Sequence, residues 1–187
     1  MVESSKIYRE GILSQVKETF GKLVYSYTTH LKAAHILQKK NNILKWMLII
    51  ITAISTGGLL GIISQINSIL LEVITAFLST ISFALTTFQK SASFESQIIS
   101  HIQFSNKLWK LREEYISFLT DFSTLDDDTI IKKRNYLIEK LGEAYANEPL
   151  TNTKAYQMAR IALKNDEEQF FSEDEINLML PKHLRNK

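Results

Sequence analysis

Hydrophobic and polar positions divide the chain into stretches of different character. From Ile7 to Leu44, apolar residues return every three or four positions, as Val16, Phe20, Leu23, Tyr27, Leu31 and Ala34, with Lys17, Lys22 and Lys32 off the stripe. That is the period of an amphipathic helix with one packed face. The alternation then stops. From Trp46 to Ile63 no residue is charged, and from Ile69 to Phe88 only Glu72 is. Each run, as a helix, is about 27–30 Å long, close to the thickness of a hydrocarbon core. Ser64-Gln-Ile-Asn-Ser68 between them reads as a short polar turn. The pattern predicts a two-transmembrane helical hairpin over 46–89, with spans at about 46–63 and 69–88.

Beyond the hairpin, residues from Lys90 to Phe122 include neither proline nor glycine, so the second span is expected to continue as one helix over 90–124. Ile98, His101, Ser105, Leu108, Arg112, Tyr115 and Leu119 keep a period near 3.5 there. Its apolar members, Ile98, Leu108, Tyr115 and Leu119, form a candidate seam between copies of the chain. Ser123 to Asp128 breaks the pattern, and the acidic trio at its end suits the N-terminus of a helix over Thr129 to Ala146. A turn at Asn147 to Asn152 and a helix over Thr153 to Asn165 follow. Ser172-Glu-Asp-Glu175 has the spacing of a capping box and opens a last short helix, Ile176 to Leu180, ended by Pro181. The expected fold is all-α: an amphipathic region over 1–45, the hairpin over 46–89, a long helix over 90–124, and a small helical extension over 125–187. The helices outside the membrane are expected to form a bundle.

Charge orients this arrangement. Residues 1–45 carry eight Lys/Arg against three Asp/Glu, residues 90–125 carry four of each, and residues 126–187 carry ten against twelve. Lys39, Lys40, Lys45 and Lys90 flank the apolar pair, while the turn has no basic residue. Basic residues favour the cytoplasmic side, so both termini are expected inside and the turn outside. The expected location is a cell membrane, multi-pass. The basic excess lies beside the bilayer, where anionic lipid is the simpler partner, and no single basic face asks for nucleic acid. No cleavable signal is legible, and the first apolar segment is expected to serve as its own insertion signal.

Side-chain chemistry narrows the function. The chain contains no cysteine, which excludes a thiol nucleophile, a disulfide framework and a thiolate metal site. Glycines at 11, 21, 57, 58, 61 and 142 make no phosphate loop, and His30, His35, His101 and His183 make no metal-binding pair, so these histidines are expected on helix surfaces. No calcium loop fits Asp126 to Asp128, because its alternating ligands and glycine are missing. No catalytic residue, metal ligand or cofactor is expected, and the chain does not read as an enzyme.

The apolar runs say more. Gly57 and Gly61 lie four apart, a spacing that lets helix backbones approach closely. Thr75, Ser79, Ser82 and Thr86 fall at steps of four, three and four, in one stripe along the second span, with Thr80 and Thr87 on a neighbouring line. Such a stripe serves either close helix packing or the lining of a water path made by several copies. One reading is a regulated, oligomeric pore or membrane-disrupting protein. The others are a non-conducting membrane anchor or scaffold that recruits a cytoplasmic partner, and a small constitutive channel or transporter subunit.

Several segments also carry a family resemblance. The helix with Leu108-Trp-Lys-Leu-Arg-Glu-Glu-Tyr115 running into Leu119-Thr-Asp-Phe122, placed after a tight two-transmembrane hairpin, resembles the SLATT superfamily, the SMODS- and SLOG-associating two-transmembrane effector domains. Tyr156-Gln-Met-Ala-Arg160, Phe170-Phe-Ser-Glu-Asp-Glu175 and Leu180-Pro-Lys-His-Leu184 are similar to the C-terminal cytoplasmic extension of one of its subfamilies. The resemblance implies a pore-forming membrane effector of bacterial antiviral conflict systems, of the abortive-infection type. It also implies a trigger supplied by a nucleotide second messenger or by a neighbouring-gene sensor, whether a synthase, a SLOG protein or a reverse transcriptase. It supplies no catalytic residues.

Overall fold

The structure, a computed structural model, describes residues 2–63, 69–181, 183 and 185; the turn expected at Ser64 to Ser68 lies outside them. Among the described residues there are six helices and no strand: α1 (Val2–Ile63), α2 (Ile69–Ala92), α3 (Phe94–Asp121), α4 (Asp127–Tyr145), α5 (Thr153–Lys164) and α6 (Glu173–Met179). α1 carries the amphipathic stretch into the first apolar run without interruption, since neither proline nor glycine stands between Ala34 and Trp46. The helix expected to run on from the second apolar segment is instead divided at Ser93, whose φ of 45° is left-handed. Neither neighbour of Ser93 is a glycine or proline, so nothing local announces the break.

The later helices begin where their caps stand. Asp126 accepts from the backbone N–H of Thr129 at 2.9 Å and opens α4, and Asn152 accepts from that of Ala155 at 2.9 Å and opens α5. At α6 the capping box is complete, with Ser172 Oγ taking the Glu175 N–H and the Glu175 carboxylate taking the Ser172 N–H. Each such cap is worth about 1 kcal/mol of helix stability.

The chain divides into two compact units. One is a bundle of residues 1–32 and 104–187. Its core joins Ile12, Val16 and Leu23 of α1 to Leu108, Leu111, Tyr115 and Phe118 of α3 and to Ile130, Leu137 and Ala144 of α4. Leu119 packs against the edge of this cluster. Ala155, Ala159 and Ala162 give α5 a small buried face, which lets it lie close to its neighbours. Polar groups staple the unit together. Arg9 donates to Asp127 Oδ1 at 2.9 Å and to the carbonyl oxygens of Phe122 and Leu125 at 3.2 and 3.0 Å, so one side chain closes the turn between α3 and α4 onto α1. His30 is buried, with Nε2 3.1 Å from Glu148 Oε1 and its ring 4.4 Å from that of Phe104. Burial pushes this imidazole below its ordinary value of 6.5, and the Glu148 carboxylate opposes part of the shift.

The surface position expected of His30 is therefore corrected, and that of His101 with it, since both are buried. His30 stands two turns beyond Leu23, on the packed face of α1, and helix phase decided its place over polarity. His35 and His183 are exposed as expected.

The other unit spans residues 33–103 and contains the hairpin. Pairs between α1 and α2 are Asn41 with Gln89, Thr52 with Ser82 and Gly58 with Thr75. As the first number rises the second falls, so α1 and α2 run antiparallel. Both apolar runs are long and apolar enough to cross a membrane. Large side chains here point outward: Trp46, Ile49, Ile50, Ile54, Leu59 and Leu60 on α1, and Leu70, Val73, Phe77, Phe83 and Phe88 on α2 are exposed. Between Trp46 and Gly61 the buried residue is Ser55, and between Ile69 and Phe88 it is Thr75. A surface that exposes isoleucine and phenylalanine while burying hydroxyls matches lipid as its solvent. The chain is an all-α membrane protein with two spanning helices.

Candidate functional site

The hairpin contact is where the unusual chemistry lies. α1 turns Leu48, Ile51, Ser55 and Gly58 inward, and α2 answers with Leu71, Thr75, Leu78, Ser82 and Leu85. Gly58 sets the closest approach. A Cβ built there would collide with Thr75 Oγ1 and come within 3.4 Å of Thr75 Cβ, while one built at Gly57 meets nothing within 4 Å. About two turns further along, Thr52 Oγ1 and Ser82 Oγ lie 3.3 Å apart. Ser55 Oγ is buried with no hydrogen-bond partner among the described residues.

The stripe on α2 is divided by this packing. Thr75 is buried against Gly58 and Ser82 is half-buried against Thr52, whereas Ser79 and Thr86 are exposed. Thr86 returns its hydroxyl to the Ser82 carbonyl at 2.8 Å, and Thr80 and Thr87 bond the carbonyls of Ala76 and Phe83 at 2.9 Å each. Such back-bonding makes a hydroxyl tolerable in an apolar medium without removing its affinity for water or for another polar group. A single hairpin thus leaves an uncovered hydroxyl edge beside its own contact line. Gly57 is exposed on the first helix and Gly61 is half-buried.

At the open end of the hairpin a polar cluster closes the apolar layer. Gln89 Nε2 donates to the buried Asn41 at 3.3 Å, and Lys45 Nζ donates to Glu95 at 2.7 Å. Asn41, Thr86, Gln89, Lys90, Ser93 and Phe94 line a cavity of ≈ 320 Å³ at this level. Nothing in the sequence marks Asn41, Gln89 or Ser93 as part of a site. Polar residues at the edge of an apolar run are common, and a serine gives no sign of a helix break.

The seam residues fall into both units. Ile98 is buried in the hairpin unit, and Leu108 and Tyr115 lie at the centre of the bundle core with Leu119 at its edge. Their burial in the bundle is accounted for by α1, α3 and α4 of one chain.

No group of His, Asp and Glu that could hold a metal ion occurs among the described residues. The bundle unit does hold a cavity of ≈ 430 Å³, lined by Lys22, Thr29, His30, Glu148 and the paired rings of Tyr25 and Tyr156, whose centroids are 6.2 Å apart.

A family model described as SMODS and SLOG-associating 2TM effector domain family 4 matches residues 12–175, which takes in both apolar runs and most of the bundle. Comparisons with curated proteins and with solved structures give no match.

Proposed function

The chain belongs to the SMODS and SLOG-associating 2TM effector domain family 4, and from that premise we propose that it is a triggered, pore-forming effector of bacterial antiviral defence. In this reading several copies assemble in the inner membrane and permeabilise it, with both termini in the cytoplasm. No step in it requires catalysis or a cofactor. The observation that carries the reading is the uncovered hydroxyl edge of Ser79 and Thr86 on a helix whose other exposed side chains are mostly apolar. A second copy can cover that edge in a closed assembly, and water can wet it in an open one. The flanking Lys39, Lys40, Lys45 and Lys90 support the inside placement of the termini. A small polar trigger of the nucleotide second-messenger class is supported by the bundle cavity, where a cation and two tyrosine rings stand together. A neighbouring-gene sensor protein is the other source of the signal.

The test is to make the edge apolar. Ser79→Leu with Thr86→Leu raises the hydrophobicity of the span, so insertion persists. Growth arrest and dye uptake on induced expression should fall about tenfold or more at unchanged protein level, because bulky apolar side chains dewet the path. Ile74→Leu, on another exposed position, is the neutral control. Full toxicity of the double variant would remove the edge from the conduction path.

One observation favours a second reading, an anchor that recruits a protein partner. Phe170, Phe171, Leu178 and Met179 in the C-terminal part of the bundle unit are exposed, outside the apolar runs. A harmless chain that retains one partner through those side chains supports it.

A further inference from the structure

Helix phase and burial disagree across the α2–α3 break. Gln89 on α2 turns toward α1, where it bonds Asn41, and Ile98 on α3 is buried as well. Ile98 follows Gln89 by nine residues. On one continuous helix, nine residues at about 100° each make about 900°, which puts the two side chains on opposite faces. Both are buried here because Ser93 leaves the helical region and resets the phase.

That reset is held against local preference. Serine in the left-handed region pays the Cβ clash that glycine avoids. The stretch from Lys90 to Phe122 otherwise has nothing against an unbroken helix. What holds the break is side-chain chemistry. Gln97 Nε2 donates to the Ala92 carbonyl oxygen at 2.7 Å, while Lys45–Glu95 and Asn41–Gln89 tie both sides of the break to α1.

We propose that Ser93 is a switch point, at which the chain exchanges the broken helix for a continuous one and α2 turns by about half a turn against α1. The α2 positions in phase with Ile98 on a continuous helix are Ala76, Thr80, Ala84 and Thr87. All four are small and exposed in the present state. They form a second line able to approach α1 as closely as Thr75 approaches Gly58. α2 therefore carries two alternative packing faces, and the state of Ser93 selects between them. In the continuous state Thr75, Ser82 and Gln89 leave α1 and turn outward, adding three polar side chains to the outer surface. Two discrete packings separated by little free energy are what a switching element requires. The movement stands on the phase argument alone, while its use in opening a path rests on the function proposed above.

The absence of cysteine allows the two faces to be read by disulfide formation in native membranes. Thr52→Cys with Ser82→Cys reports the broken state, in which the native oxygens are 3.3 Å apart. Thr52→Cys with Thr80→Cys reports the continuous one. Ser93→Gly relieves the broken state, and Ser93→Val opposes it, since a β-branched side chain resists the left-handed region. The ratio of the first disulfide to the second should differ between these two backgrounds by about five- to thirtyfold. Lys45→Met, which releases the tie without altering the backbone at the break, should shift the ratio in the direction of Ser93→Val. Equal ratios in all three backgrounds, at equal amounts of inserted protein, overturn the switch. Dye uptake measured in the cysteine-free Ser93→Gly and Ser93→Val chains separates the two ideas. Uptake that differs with the ratio supports the switch as a gate, and a shifted ratio with no uptake in either leaves the switch standing and removes the pore.

Discussion

The bundle and the hairpin are built from similar helices, yet they bury opposite things. In the bundle Leu23, Leu108, Tyr115, Ile130 and Leu137 are almost wholly inside, and charged groups such as Arg9 and Glu148 stand at the rim. In the hairpin the large residues are outside, and Ser55, Thr75 and Gly58 meet at the contact. The difference follows from solvent. Water drives large apolar side chains inward at roughly 25 cal/mol per Å² of apolar surface. Lipid offers no such drive, so close backbone approach and polar contacts decide the packing. One chain therefore obeys two folding rules, and the same substitution should act differently in each.

The largest expected effect is in the bundle. Leu108→Asp places a carboxylate where the side chain is fully buried. It should destabilise that unit by about 4 kcal/mol, because the charge has no partner and the leucine leaves a gap. Limited proteolysis in isolated membranes checks this. Residues 104–187 should become cleavable while the apolar segments stay protected, and cleavage unchanged from the wild type would mean that Leu108 is not central to the core.

A smaller effect sharpens the comparison inside the hairpin. Gly58→Ile should cost about 1–3 kcal/mol, since its Cβ meets Thr75, whereas Gly57→Ile should change stability by about 0.5 kcal/mol or less. Disulfide yield between Thr52→Cys and Ser82→Cys, measured with each glycine variant, reads the difference. Equal yields would mean that the contact is looser than its geometry.

How much of this was legible in the sequence follows the same divide. Apolar runs and helix starts are local properties, so the spans and the helix beginning after Ser172 could be read directly, and the Asp126 and Asn152 caps fall where turns were expected. The hairpin contact was only half legible. The Gly57 and Gly61 spacing marked the right turn of helix, but which glycine meets the partner depends on rotation about the axis, and it is Gly58 that meets Thr75. The hydroxyl stripe was visible as a line, and its division into a covered and an open edge depends on where α1 lies. The residue type of His30 points to a helix surface, and its burial comes from its phase with Leu23. The break at Ser93 left no compositional trace, because it answers a mismatch between two packed faces that only the folded chain brings together.

In the proposed topology 46–89 is solvated by lipid and crosses the bilayer twice, with both termini on the inner side. Single cysteines at Ser68, Lys6 and Ser123, probed in intact cells with a membrane-impermeant maleimide, test it most directly. Ser68→Cys should react from outside, and Lys6→Cys and Ser123→Cys should react only after lysis. Labelling of Ser123→Cys in intact cells, at the rate seen for Ser68→Cys, would contradict the account.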